Sequence, residues 1–116
     1  MNFAELSERG AFAPHKIARE FRTTIGEIAR TVGLSEDALQ QRNRIDSAKT
    51  QRRLREMMEI INKVEPRFGS PLMAYAWFRS APLSGFFGRT AMQLVREGRA
   101  EDVMDFIDAV DAGVCA

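Results

Sequence analysis

The sequence predicts an all-α fold, and three observations carry that reading. Apolar residues recur at steps of three and four, as in Leu54, Met57, Met58, Ile61 and Val64, the spacing of one helical face. Most such runs are bounded by a capping residue, a glycine or a proline. No stretch alternates apolar and polar residues between turn signals as a strand would. A chain of 116 residues has the length of one domain, or of two small lobes sharing a core.

Residues 1–13 show little periodicity and read as a mobile arm or a short turn of helix. Pro14 opens a helix over HKIAREFR, with Ile17, Ala18 and Phe21 on one side. Thr24 and Glu27 have the spacing of a capping box before IGEIARTV, which Gly33 ends. Ser35 caps the next helix, and Glu36 and Asp37 complement its dipole. A long helix begins after Asp46-Ser47 and is expected to stop near Glu65, before Pro66 and Gly69. Ser70-Pro71 starts another, whose LMAYAWFR is apolar nearly all round and so reads as buried. Thr90 caps AMQLVREG, and AEDVMDFIDAVDAG forms the last helix, with Val103, Phe106, Ile107 and Val110 on one face.

Composition narrows the function. Hydrophobic residues make up 45% and charged residues 28%, an ordinary globular balance. One Cys and one His allow neither an internal disulfide nor a zinc site. No apolar run reaches membrane-spanning length, and the acidic, discontinuous start is unlike a signal peptide, so a cytoplasmic protein is expected. There is no Ser-His-Asp set and no glycine-rich phosphate loop, so neither an enzyme nor a cofactor is expected. The net charge of +1 hides an asymmetry. Residues 1–67 hold 13 Lys/Arg against 10 Asp/Glu, whereas residues 68–116 hold 4 against 6. The richest stretch carries Arg42, Arg44, Lys49, Arg52, Arg53 and Arg55 against Asp46 alone. It reads either as a face for phosphate or as an ordinary solvated helix surface.

IGEIARTVGLSEDALQQRNR has the layout of a helix-turn-helix: Ala29 where two helices approach, Gly33 in the turn, Leu39 on the inner side of the second helix. On that reading Gln40, Gln41 and Arg44 face base edges, and Arg30, Ser35 and Lys49 contact phosphate. Against it, Arg42 stands where such motifs keep an apolar residue, and Glu36 and Asp37 would repel phosphate. Dimerisation is expected if paired half-sites are read.

The second half carries a more specific signal. Ala76-Trp77-Phe78, Pro82-Leu83, Gly85-Phe86-Phe87-Gly88-Arg89-Thr90 and Leu94-Val95-Arg96-Glu97-Gly98 are followed by Val103, Phe106-Ile107 and a Gly-Val near the end. This order resembles the toxin-binding domain of Xre/MbcA/ParS antitoxins over roughly residues 60–116; Ala91 departs from the Pro that often follows Thr in the family. Together with the readings above, the resemblance, whose family usually carries an Xre-like helix-turn-helix upstream, gives an organisation of mobile arm (1–13), helix-turn-helix lobe (14–55) and toxin-binding domain (56–116). It implies an antitoxin of a type II system whose partner is a RES-domain toxin that consumes NAD or transfers ADP-ribose, and whose operon the complex represses. The inhibitory segment would be Asp111, Ala112, Gly113, Val114, Cys115 and Ala116, with Asp111 and the terminal carboxylate standing in the NAD phosphate space. A helix-turn-helix regulator without a toxin partner is the alternative. Phe86 and Phe87 are adjacent loop aromatics that cannot easily both turn inward, so one is a candidate partner contact. Arg89 binds a carboxylate or caps a helix end. Trp77 reads as core, the methionines 57, 58, 73, 92 and 104 as adaptable core filler, and Cys115 as a passive tail position.

Overall fold

Short-range caps set most of the helix boundaries. The computed structural model describes residues 1–113. They form eight helices joined by turns and one two-stranded ribbon, so the all-α expectation holds. Two compact units divide the chain, Met1–Arg55 and the part from Glu56 onward.

In the first unit the opening residues are not a separate arm. Phe3–Leu6 is a 3-10 turn, and β1 (Ser7–Glu8) pairs antiparallel with β2 (Ala11–Phe12). Arg9 and Gly10 both have positive φ, 55° and 79°, as a two-residue type I′ hairpin turn requires. Leu6 and Phe12 are buried, and the Phe3 and Phe12 rings meet edge to face at 5.3 Å. Because Ser7 and Phe12 are a non-hydrogen-bonded pair, the backbone of Phe12 faces away from β1. Gln51 takes both of its groups. Its Oε1 accepts from Phe12 N at 2.8 Å, and its Nε2 donates to Phe12 O at 3.1 Å and Ile45 O at 2.9 Å.

Helix α1 (Pro14–Glu20) starts on Pro14, whose missing N–H would have no partner in a first turn. Helix α2 (Ile25–Val32) is capped by Thr24, whose Oγ1 accepts from Glu27 N at 3.1 Å, and ends on left-handed Gly33. Arg53 donates to the Val32 carbonyl at 2.8 Å, satisfying one of that helix's terminal acceptors. Helix α3 (Glu36–Gln40) is capped by Ser35, α4 (Arg42–Ile45) follows, and α5 (Ala48–Phe68) starts where Ser47 Oγ accepts from Thr50 N. Helix α5 overruns its expected stop. Pro66 sits in its last turn, and the chain turns out only at Gly69, φ +77°, whose N–H reaches Glu65 O at 2.9 Å.

In the second unit α6 (Pro71–Ser80) is capped by Ser70, whose Oγ accepts from Met73 N at 3.1 Å. Helix α7 (Ala91–Arg96) has a complete capping box: Thr90 Oγ1 accepts from Gln93 N at 3.2 Å and Gln93 Oε1 accepts from Thr90 N at 2.9 Å. Helix α8 (Ala100–Asp111) follows the Gly98 turn. Val64, Phe78, Leu94, Val95, Val103 and Ile107 are fully buried. The all-round burial expected of α6 is corrected: Ala74, Tyr75 and Phe78 go inward, but Leu72 and Met73 are exposed, so Met73 is not core filler. Trp77 is half-buried against Phe68, ring centroids 6.2 Å apart.

Candidate functional site

The nucleic-acid candidates lie in the first unit. Ile28, Ala29, Val32, Ala38 and Leu39 are buried between the two helices of the motif. Gly26 makes their first turns close: a Cβ there would stand 2.7 Å from Glu36 Oε1. The second helix does not run on as the motif reading requires. It ends after five residues, with Gln41 extended (ψ 124°), and α4 restarts at Arg42. The cause is legible in the spacing. Position 42 lies four residues after Ala38 and three after Leu39, on the buried face of a continued helix, so continuing would bury a guanidinium. The break leaves Arg42 exposed.

Gln40, Gln41 and Arg44 therefore do not share one reading helix. Gln40 Nε2 donates to Glu36 Oε2 at 2.8 Å, Gln41 is the break itself, and Arg44 rides on α4. Ser35, Arg44 and Lys49 do converge, lining a cleft of about 330 Å³ with Asn43, Ser47 and Thr50. Arg30 lies outside that lining and is held by Glu27 at 2.6 Å, the hydrogen bond and charge that raise its pKa. Of the basic stretch, Arg53 is spent on the Val32 carbonyl and Arg55 lies over the Phe12 ring at 5.5 Å. Arg42, Arg44, Lys49 and Arg52 remain as exposed cations.

The partner candidates lie in the second unit. The loop between α6 and α7 is closed at its neck by the Pro82–Thr90 bridge and by Leu83 N donating to Arg89 O at 2.9 Å. Inside it Phe86 N donates to Leu83 O and Arg89 N to Phe86 O. Gly85, Phe87 and Gly88 are left-handed, with φ of 86°, 56° and 84°. The two aromatics separate. Phe86 turns in, edge-on to Phe106 at 6.1 Å, with the Arg99 guanidinium 5.5 Å from its ring centre. Phe87 turns out and is 97% exposed. Arg89 binds a carboxylate rather than a helix end: its Nε is 2.9 Å from Glu97 Oε2.

The end of α8 is held by α5. Asp108 and Asp111 stand at a helix C-terminus, where negative charge opposes the macrodipole, and the last turn has no basic residue of its own. Lys63 and Arg67, four apart on α5, supply it. Lys63 Nζ is 2.6 Å from Asp108 Oδ1, and Arg67 pairs with Asp111. The hydrogen bond that Lys63 donates to the Asp108 carboxylate raises the Lys63 pKa. Asp111 is thus the last helical residue with its carboxylate engaged, not part of an extended tail. Ala112 and Gly113, φ +81°, complete the turn-out; Val114, Cys115 and Ala116 lie outside the described residues.

Residues 63–113 match the family model of the antitoxin Xre/MbcA/ParS C-terminal toxin-binding domain. Over that segment, a little under half of the chain, the protein is similar to the toxin-binding domain of this antitoxin family. The curated proteins and the solved structures yield no significant match. The matched segment contains the Phe86–Arg89 loop, the Lys63 and Arg67 contacts and the whole of α8. Among the described residues there is no cluster able to hold a metal ion, and no helix is long and apolar enough to cross a membrane. Sequence reasoning missed Lys63 and Arg67, although both sit four apart on one helix with an acidic C-terminal helix to meet. Arg42 and Arg52, both named in the basic stretch, stand exposed although neither was singled out as a DNA contact.

Proposed function

We propose that this chain is the antitoxin of a type II toxin–antitoxin pair. Its partner is a RES-domain toxin that consumes NAD or transfers ADP-ribose. The single observation that supports the reading is the match of residues 63–113 to the family model of the antitoxin toxin-binding domain. The chain from Glu56 onward engages the toxin, and the segment that follows α8, running to Ala116, enters the NAD pocket and blocks it sterically. Asp111, held by Arg67, sets where that segment leaves the helix rather than replacing a phosphate. No chemistry by this chain is required, and the pair acts in the cytoplasm.

Residues 14–55 bind the promoter of the operon as a dimer. The support is the exposed Arg42, Arg44, Lys49 and Arg52, with Ser35, Arg44 and Lys49 around one cleft. Arg30, Gln40 and Gln41 take secondary parts in that interface, since Arg30 and Gln40 already hold Glu27 and Glu36.

The test is NAD turnover by the protein encoded in the adjacent reading frame, with and without this chain. Turnover that this chain suppresses, and that a chain lacking residues 113–116 does not suppress, is the expected result. Full inhibition by the truncated chain refutes the plug. A neighbour without NAD chemistry removes the RES assignment and leaves a DNA-binding regulator, for which promoter binding is the assay.

A further inference from the structure

We infer that binding and inhibition are carried by different parts of the toxin-binding domain, and that Phe87 is the binding anchor, inserting into an apolar pocket of the toxin. The inference rests on the antitoxin reading and deepens it. Phe87 combines three observations. Its side chain is 97% exposed, so the folded chain gains nothing from its hydrophobicity. Its φ of +56° is a conformation that bulky residues avoid, and glycine or asparagine would hold it at lower cost. Its neighbours are spent on making the loop rigid. Phe86 is packed on Phe106, Arg89 is tied to Glu97, and the neck is closed by Leu83 N and Arg89 O. A phenyl ring shown to solvent on a preorganised loop loses little freedom on docking.

The occupant follows from where exposed apolar surface lies. Leu72, Met73 and Phe87 are the large apolar side chains that stand exposed among the described residues, and all three fall within the matched segment. The domain defined by binding a toxin is thus also the part of the chain with unsatisfied hydrophobic groups. A single protruding ring needs a concave apolar partner, and truncating such an anchor costs about tenfold or more in affinity.

The experiment titrates full-length chain against the protein of the adjacent reading frame, reading Kd by calorimetry, inhibition by NAD turnover and folding by Tm. The variants are Phe87→Asn, Phe87→Tyr and a chain lacking residues 113–116. Asparagine accepts the left-handed backbone, so Phe87→Asn holds or raises Tm while Kd rises about tenfold or more. Phe87→Tyr keeps the ring and stays within about threefold of wild type. The truncated chain binds as wild type does and fails to inhibit. An unchanged Kd for Phe87→Asn overturns the anchor while leaving the antitoxin reading intact. So does loss of binding on truncation, or a Phe87→Asn effect confined to self-association of the chain in sedimentation. No complex with the wild-type chain sinks the anchor and the reading together.

Discussion

Replacing Gln51 with Leu removes the group that holds the β1–β2 ribbon to α5. The amide of Gln51 meets the outer backbone edge of β2 as the peptide of a third strand would. Three contacts are lost: Phe12 N–H at 2.8 Å, Phe12 O at 3.1 Å and Ile45 O at 2.9 Å. Each is part-buried and each leaves a backbone group to find another partner. At about 1 kcal/mol per net hydrogen bond the loss is about 3 kcal/mol, a large share of the stability of a small unit. The assay is denaturant unfolding by circular dichroism, with hydrogen exchange at the Phe12 amide. The Gln51→Glu variant sharpens it. One carboxylate oxygen still accepts from Phe12 N–H, but the other faces two carbonyl oxygens, which disfavours charge and raises the folded pKa. The sign follows: stability is present below the unfolded pKa of about 4.3 and is lost as pH rises through the higher folded value. A Gln51→Leu cost below about 1 kcal/mol, or a Gln51→Glu variant whose stability does not change with acid, would refute the clamp.

Three further outcomes are expected. Arg42→Leu removes the charge that forces the break at Gln41, so helicity rises and α3 runs into α4; unchanged circular dichroism and unchanged amide protection at residues 41–43 would show that Arg42 is not the cause. Gly69→Ala places a Cβ at φ +77° with open space around it, so the cost is backbone strain alone, about 1–2 kcal/mol in unfolding free energy; a neutral substitution contradicts the assigned helix stop. The raised Lys63 pKa makes its pair with Asp108 stabilising below the ordinary lysine value of 10.5, with that contribution lost as pH climbs through the higher folded value. Amide exchange in the last turn of α8, corrected for its intrinsic pH dependence, should therefore lose protection as pH climbs into alkali, and Lys63→Ala should abolish that step.

What the sequence made legible was local. Thr24, Ser35, Ser70 and Thr90 were readable as caps because a cap is a bond across three residues, and the buried Leu54, Met57, Met58, Ile61 and Val64 because a helix repeats its face. The ribbon was not readable. Its strands are two residues long, and Arg9 takes a left-handed place where Asn or Asp would have announced the turn. Nor was the true end of α5. Pro66 deletes one backbone bond of the last turn without stopping it, and the helix runs on through Phe68 until Gly69 turns the chain out.

The site divides along the same line. That only one of Phe86 and Phe87 turns inward was inferable from their adjacency, but which one was not. The choice depends on Phe106 and Arg99, which follow Phe86 by 20 and 13 positions. Asp111 shows the opposite failure. Read alone it is one more acid near a tail; Arg67, 44 residues earlier, makes it a fixed helix terminus. The basic stretch was overcounted for the same reason, since Arg53 and Arg55 are consumed by Val32 and Phe12. Each is a side chain that the fold already uses where the sequence shows only a charge, and assigning it to a partner on charge alone is the error to avoid. Phe87 is exempt from that error, because its ring is almost wholly accessible. That is why it, rather than Asp111 or the full basic run, is the residue on which the binding argument rests.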